Sequence, residues 1–244
     1  MPDFAASEPT PTQANPPHTT SHEHHEPHPI RRPGEPRSFR IPVLRTRPPG
    51  GREAHGRALA VCRGLWHSFC LSGADPFGEP TFRYPWQGKG DEVDRALHRL
   101  DHGFDVIGRL GIPFYCFHDV DLVAPGDTPA ETDRRMARVV AHAKALQQAS
   151  GIRLLWGTAN LFGHPRYMNG AATNPDFAVT AFAADQVRRA IDATVELGGS
   201  NYVFWGGREG YLSLHNTDTR REKEHLARFL AMAVAYGRRQ GFEG

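Results

Sequence analysis

Cysteine is scarce in this 244-residue chain: the three present, Cys62, Cys70 and Cys116, sit in apolar or aromatic surroundings without CxxC spacing. Neither a disulfide framework nor a thiolate zinc site is indicated, so a reducing, cytoplasmic setting is the default expectation. Long apolar runs are missing too. No stretch approaches the roughly 20 residues that span a bilayer, and the N-terminus lacks the apolar core of a secretory signal. Charge of one sign is also lacking, since 29 basic and 27 acidic residues leave a formal net charge of +2. Nucleic acid and anionic membranes are therefore not expected partners, and a neutral small molecule suits the balance better.

What is present divides unevenly along the chain. Residues 1–56 are dense in Pro, Thr, His and Arg, with Pro-Pro steps at Pro16 and Pro48 and almost no periodic apolar positions. Such a segment buries too little apolar surface to offset its ordering entropy and is expected to be disordered. Its cluster His22, Glu23, His24, His25, Glu26 and His28 has the donors for loose transition-metal binding.

Residues 57–244 alternate between strand and helix signals. Leu59 to Phe69 reads as an apolar, aromatic strand, interrupted by Arg63-Gly64, where an arginine facing a core would be costly. Val93, Leu97, Leu100, Phe104 and Ile107 recur at helical spacing from Asp91 to Gly111. Ile112 to Phe117 is the second strand. Thr128, Pro129 and Glu131 form a capping-box signature for a helix whose stripe is Met136, Val139, Val140, Ala143 and Leu146, ending at Gly151. Ile152 to Thr158 is the third strand and Asp176 to Leu197 the third helix. Tyr202 to Trp205 and Thr217 to Gln240 complete a fourth pair, with Leu226, Phe229, Leu230, Ala233 and Val234 on the inner helix face. Strand ends recur roughly every 40 to 50 residues, as in a (β/α)8 barrel with elaborated loops, although a closed barrel needs eight such units. An open doubly wound sheet is the alternative, but no glycine-rich phosphate turn follows the first strand.

The run from Phe114 to Asp121, Phe-Tyr-Cys-Phe-His-Asp-Val-Asp, hands an apolar strand over to one imidazole and two carboxylates. His118 and Asp121 thus stand at a strand end as a candidate proton-transfer pair, with the carboxylate fixing the ring's tautomer. The competing interpretation is that Asp119 or Asp121 caps a turn. Trp66 and Trp205 sit at or near other strand ends, where aromatic faces suit the C–H side of a sugar. Gly157 to Asn160 ends the third strand with a hydroxyl and an amide that suit either a substrate hydroxyl or loop capping.

Six segments together resemble the xylose isomerase family: Trp66 to Cys70, Gly73 to Gly78, Phe114 to Asp121, Leu155 to Asn160, His164 to Ala171 and Tyr202 to Tyr211. The likeness runs in order from about Leu65 to Gly244. It implies an α/β fold of the TIM (β/α)8 type, of which about four βα units, a half barrel, are present. It also implies interconversion of D-xylose and D-xylulose, with D-glucose as a poorer substrate. In that resemblance His118, held by Asp121, assists ring opening, and Trp66 and Trp205 wall the sugar. Thr158 lies near bound substrate, and Phe77 inserts into a neighbouring subunit's site. Two divalent cations, magnesium, manganese or cobalt, polarise the sugar oxygens for a hydride shift, and the assembly is a homotetramer or homodimer.

Two departures qualify this. The family's metal ligands fall beyond the position equivalent to Gly244, so no metal ligand is expected in this chain, and the chain alone is expected to be inactive unless a separately encoded C-terminal half completes it. Upstream of Leu65 the sequence departs from the family, as a frameshifted reading frame would, and Leu71-Ser72 replaces the family's usual residues. The alternatives are a noncatalytic sugar-binding or assembly module and a nonfunctional gene remnant.

Overall fold

A computed structural model describes residues 61–210, 215 and 217–244. The expectations for residues 1–56, for the histidine cluster within them and for a first strand starting at Leu59 lie outside the described residues. Four parallel strands, β1 (Cys62–Gly64), β2 (Phe114–His118), β3 (Arg153–Thr158) and β4 (Asn201–Tyr202), form one sheet whose spatial order follows chain order. Helices α1 (Glu92–Arg109), α3 (Pro129–Ser150), α4 (Phe177–Glu196) and α5 (Thr219–Arg239) connect or follow them, and a single turn, α2 (Asp119–Leu122), leaves the end of β2. Successive long helices pack on one another, α1 with α3, α3 with α4 and α4 with α5. No reversal of strand order, the mark of a doubly wound sheet, occurs among the described strands.

Local chemistry explains where the helices start. Asp91 accepts from the Asp94 backbone N–H while Asp94 accepts from that of Asp91, a full capping box for α1. At α3 the box is only half formed: Thr128 Oγ1 accepts from Glu131 N, but the Glu131 carboxylate takes the N–H of Asp127 instead. Asp176 and Asp218 cap α4 and α5 through Ala178 N and Arg221 N. Gly151 ends α3 at φ 74°, a left-handed position that favours glycine.

The central strand is buried through Tyr115, Cys116 and Phe117 in succession, as expected of a parallel strand covered on both faces. One core joins Tyr115, Phe117 and Leu154 to the inner stripes of α1 and α3, and a second joins α4 and α5 to Ala159, Tyr167, Ala171 and Ala172. On the polar side of the helix layer, Arg189 is buried and pairs with Asp133 of α3 at 2.6 Å, which holds that carboxyl below its ordinary range. Arg188 joins Asp185 and Asp192, and Asp192 accepts from Tyr236 of α5.

Four sequence expectations are corrected. The first strand stops at Gly64, and Trp66–Cys70 is one helical turn, because Leu65 and Phe69 are buried at a spacing of four and Ser68 Oγ donates to Gly64 O. Arg63 is exposed rather than facing the core. The fourth strand ends at Tyr202, leaving Trp205 in the following loop. Val234 is exposed, since the buried stripe of α5 runs through Phe229, Ala233 and Gly237.

Close packing at the sheet gives a stability test. A Cβ on Gly157 of β3 would lie 2.2 Å from Thr194 Oγ1 and 2.7 Å from Phe117 Cζ, whereas one on Gly108 of α1 meets nothing nearer than 3.9 Å. Gly157→Ala should destabilise by about 1–3 kcal/mol, and Gly108→Ala should stabilise by about 0.5–1 kcal/mol. Urea unfolding of both variants checks the opposite signs.

Candidate functional site

The polar site grows from the end of β2. His118 is the last strand residue and also the N-cap of α2, so the chain turns sharply there and brings Asp121 back toward it. Asp121 Oδ2 accepts from the His118 backbone N–H at 2.7 Å and lies 3.1 Å from His118 Nδ1. The carboxylate that caps the turn is thus also the one that meets the ring. Asp121 is fully buried, and among the described residues its Oδ1 has no hydrogen-bond partner. Beneath it, Arg99 donates to the carbonyls of Asp121 and Leu122. Burial and the nearby Asp121 carboxylate push the Cys70 thiol up to about 12.

Aromatic rings surround the imidazole edge-on. Trp66 stands 5.3 Å from His118 between ring centres, Phe162 5.6 Å and Trp156 6.2 Å. Phe162 also meets Trp66 at 6.1 Å and Trp205 at 4.1 Å. The result is one apolar wall formed from β3 and the segments after β1, β3 and β4, with the His118 side chain 13% exposed within it. Trp205 is half exposed at the rim.

The wall is positioned by polar ties to backbone. Asp119, also buried, accepts from Asn160 N at 2.8 Å and so joins the end of β2 to the end of β3. The Asn160 side chain then accepts from Phe162 N and Gly163 N, shaping the turn that presents Phe162. Gln186 of α4 donates to Asn160 O and accepts from Tyr167. Across the site, Glu209 accepts from the backbone N–H groups of Ala171, Ala172 and Thr173 and from the Thr173 hydroxyl, fastening the loop after β4 to the segment before α4.

The six residues singled out from sequence are placed differently. Trp66, His118, Asp121 and Trp205 converge in the arrangement above. Thr158 is buried, and its hydroxyl donates to Val203 O across the sheet. Phe77 is 96% exposed at the tip of a tight turn closed by Asp75 and Gly78, away from the cluster. Asp119 was offered only as a turn cap, and Phe162, Trp156 and Glu209 were not singled out; Phe162 and Glu209 lie in the loops after β3 and β4, and Trp156 lies within β3. Beside Asp119 a cavity of about 420 Å³ opens between α2, the start of α3 and the 160–167 loop, lined partly by Trp66, Asn160, Arg166 and Gln186. Among the described residues, no three His, Cys, Asp or Glu side chains are grouped as a bound metal ion would need. No described helix is long and apolar enough to cross a membrane.

Comparison with known proteins gives a consistent set of relatives. A protein named xylose isomerase from Phocaeicola vulgatus is 58% identical over 186 residues, covering 76% of this chain and 42% of that protein. Its namesake from Bacteroides thetaiotaomicron is 57% identical over the same span and coverage. A third, from Xanthomonas oryzae pv. oryzae, is 58% identical over 194 residues, 80% of this chain and 44% of that one. The chain thus spans less than half the length of these curated relatives. No protein-family model matches. Among solved structures, the apo form of a 3-keto-D-glucoside 4-epimerase from E. coli is similar at a TM-score of 0.42 and 14% identity, covering 64% of this chain and 51% of that one.

Burial of Asp119 has a pH signature. Desolvation lifts its carboxyl to about 6, partly offset by the Asn160 N–H. Raised in the folded state, this group contributes stability that is fully present below its unfolded value near 4 and is lost as pH rises through about 6. Asp119→Asn keeps an oxygen for Asn160 N and removes the titration. Relative to the native chain, the variant should gain about 2 kcal/mol between pH 4.5 and pH 7, read from urea unfolding at both values.

Proposed function

We propose that this chain, which over its aligned 186 residues belongs to the xylose isomerase family, supplies the ring-opening and sugar-walling part of an aldose–ketose isomerase site. The observation that carries the proposal is the buried carboxylate–imidazole pair of Asp121 and His118 set inside an apolar aromatic wall. With Asp121 Oδ2 accepting the Nδ1 proton, Nε2 is left as the ring's acceptor. It would take the proton of the anomeric hydroxyl of a cyclic pentose and return it to the ring oxygen as the C1–O5 bond opens. Trp66, Phe162, Trp156 and Trp205 would hold the sugar's C–H faces and exclude water from the proton path. D-xylose is the favoured substrate, with D-glucose as the larger alternative.

The hydride step that completes such an isomerisation calls on divalent cations with several oxygen ligands each. The described donor set does not fit them. Asp121 Oδ2 is engaged by His118, Asp119 accepts from Asn160, and Glu209 is surrounded by the N–H groups of Ala171, Ala172 and Thr173. No step of the proposal passes through a metal held by these residues.

The same reading extends to architecture. Parallel strands in chain order with neighbouring helices support an arc of a (β/α)8 barrel within residues 57–244, open, among the described strands, at the outer edges of β1 and β4. Completion by further βα units would close it. Phe77, exposed at its turn, is the residue that would reach a neighbouring subunit. Action in the cytoplasm fits the scarcity of cysteine.

A second reading, a sugar-binding module without catalysis, is favoured by the same aromatic wall combined with the absence of a grouped metal-ligand set among the described residues. Two measurements separate them. Purified chain incubated with D-xylose and magnesium or manganese should form no xylulose by itself, and turnover would show that metal is held here after all. Calorimetry with xylitol in EDTA should detect binding that Trp66→Ala weakens about tenfold, the loss of one aromatic contact of about 1.4 kcal/mol. Binding that needs added metal would count against the module.

A further inference from the structure

Cys62 of β1 and Cys116 of β2 carry no role in the site above, yet their sulfur atoms lie 3.7 Å apart. In the parallel register Cys62 stands opposite Phe114 and Cys116 opposite Gly64, so the two thiols share a face on a diagonal. Gly64 has no side chain to come between them, since a Cβ there would lie 3.6 Å from Cys116 Sγ. Cys62 is half buried and Cys116 is buried. We propose that Cys62 and Cys116 are a thiol pair that low-molecular-weight disulfides oxidise to an intrachain disulfide, fastening β1 to β2 directly beneath Trp66 and His118.

Closing the bond brings the sulfurs from 3.7 Å to about 2.05 Å. A diagonal offset exceeds what a disulfide ordinarily spans, so closure must draw the two strands together. β1 can supply that movement, being three residues long and paired on one side among the described strands. The order of events follows from access. The thiolate of Cys62 attacks one sulfur of glutathione disulfide and releases one glutathione thiolate. Cys116 then attacks the Cys62 sulfur of that mixed disulfide and releases the second. Both protein thiols are oxidised, the reagent is reduced to two glutathione molecules, and the two cysteine protons pass to them. Burial and the neighbouring Cys62 raise the Cys116 thiol, which suits it to the second, intramolecular attack rather than the first.

The consequence reaches the site because β1 leads straight into the turn bearing Trp66, and Cys116 precedes His118 by two residues. Oxidation would fix the edge strand that sets the Trp66–His118 contact. Cys70 is the internal control, since it lies in the turn after β1, outside the strand register that joins the other two thiols.

The full chain at low concentration is treated with glutathione disulfide, quenched in acid, alkylated and mapped by mass spectrometry. A peptide joining Cys62 to Cys116 within one chain, lighter by the mass of two hydrogens, with Cys70 alkylated, is the expected result. Cys70→Ser should leave that crosslink unchanged, and Cys62→Ser should abolish it. Cys62 halted as the glutathione adduct, joined to Cys70 or joined to another chain would overturn the proposal. Because the native chain is mapped directly, a variant that fails to fold leaves the test intact.

Discussion

One carboxylate oxygen, Asp121 Oδ2, accepts from the backbone N–H of His118 and lies 3.1 Å from its ring Nδ1, and the order at the end of β2 follows from that sharing. An N–H freed by the start of a helical turn needs a partner when buried, and a carboxylate three residues on supplies it. Once fixed for that purpose, the same oxygen faces Nδ1. A local rule of helix capping thus places a carboxylate against the imidazole. Among the described residues, the second oxygen of this buried carboxylate has no hydrogen-bond partner, and neither does the Nε of the half-buried Arg99.

Around that pair, the loops are held mainly by acidic side chains accepting from backbone. Asp119 reaches across to Asn160 N, and Glu209 gathers three N–H groups and a hydroxyl from the segment before α4. Charge-assisted bonds of this kind are stronger and more directional than neutral ones. They fix Phe162 and, through the loop after β4, Trp205 against each other without requiring those rings to be buried in a core. An apolar surface therefore stays open at the strand ends, where a ligand can use it.

Most of the helical skeleton was legible in the sequence because capping residues and apolar periodicity agree. Asp91, Thr128, Asp176 and Asp218 each start a helix, and the stripes of α1 and α3 are buried much as their spacing implies. Strands at the two edges were less legible. An apolar run from Leu59 to Phe69 satisfies either period, and the spacing of Leu65 and Phe69 resolves it as strand followed by helical turn. In the site, His118 and Asp121 stood out because polar residues ended an apolar strand. Phe162 and Glu209 did not, since a loop phenylalanine and a loop glutamate look ordinary until the chain brings Asn160 and Ala172 beside them. The Cys62–Cys116 pair was equally hidden, because strand register, not sequence spacing, joins residues so far apart.

The central claim is that Asp121 holds the His118 ring with its proton on Nδ1, leaving Nε2 to face the substrate. Long-range nitrogen NMR of the imidazoles, recorded in nitrogen-labelled protein well above the ordinary imidazole range of about 6.5, reads the tautomer directly. The His118 signals are those missing from a His118→Gln variant. A protonated Nδ1 with a bare Nε2 is the result this account predicts. A ring protonated on Nε2 would contradict it.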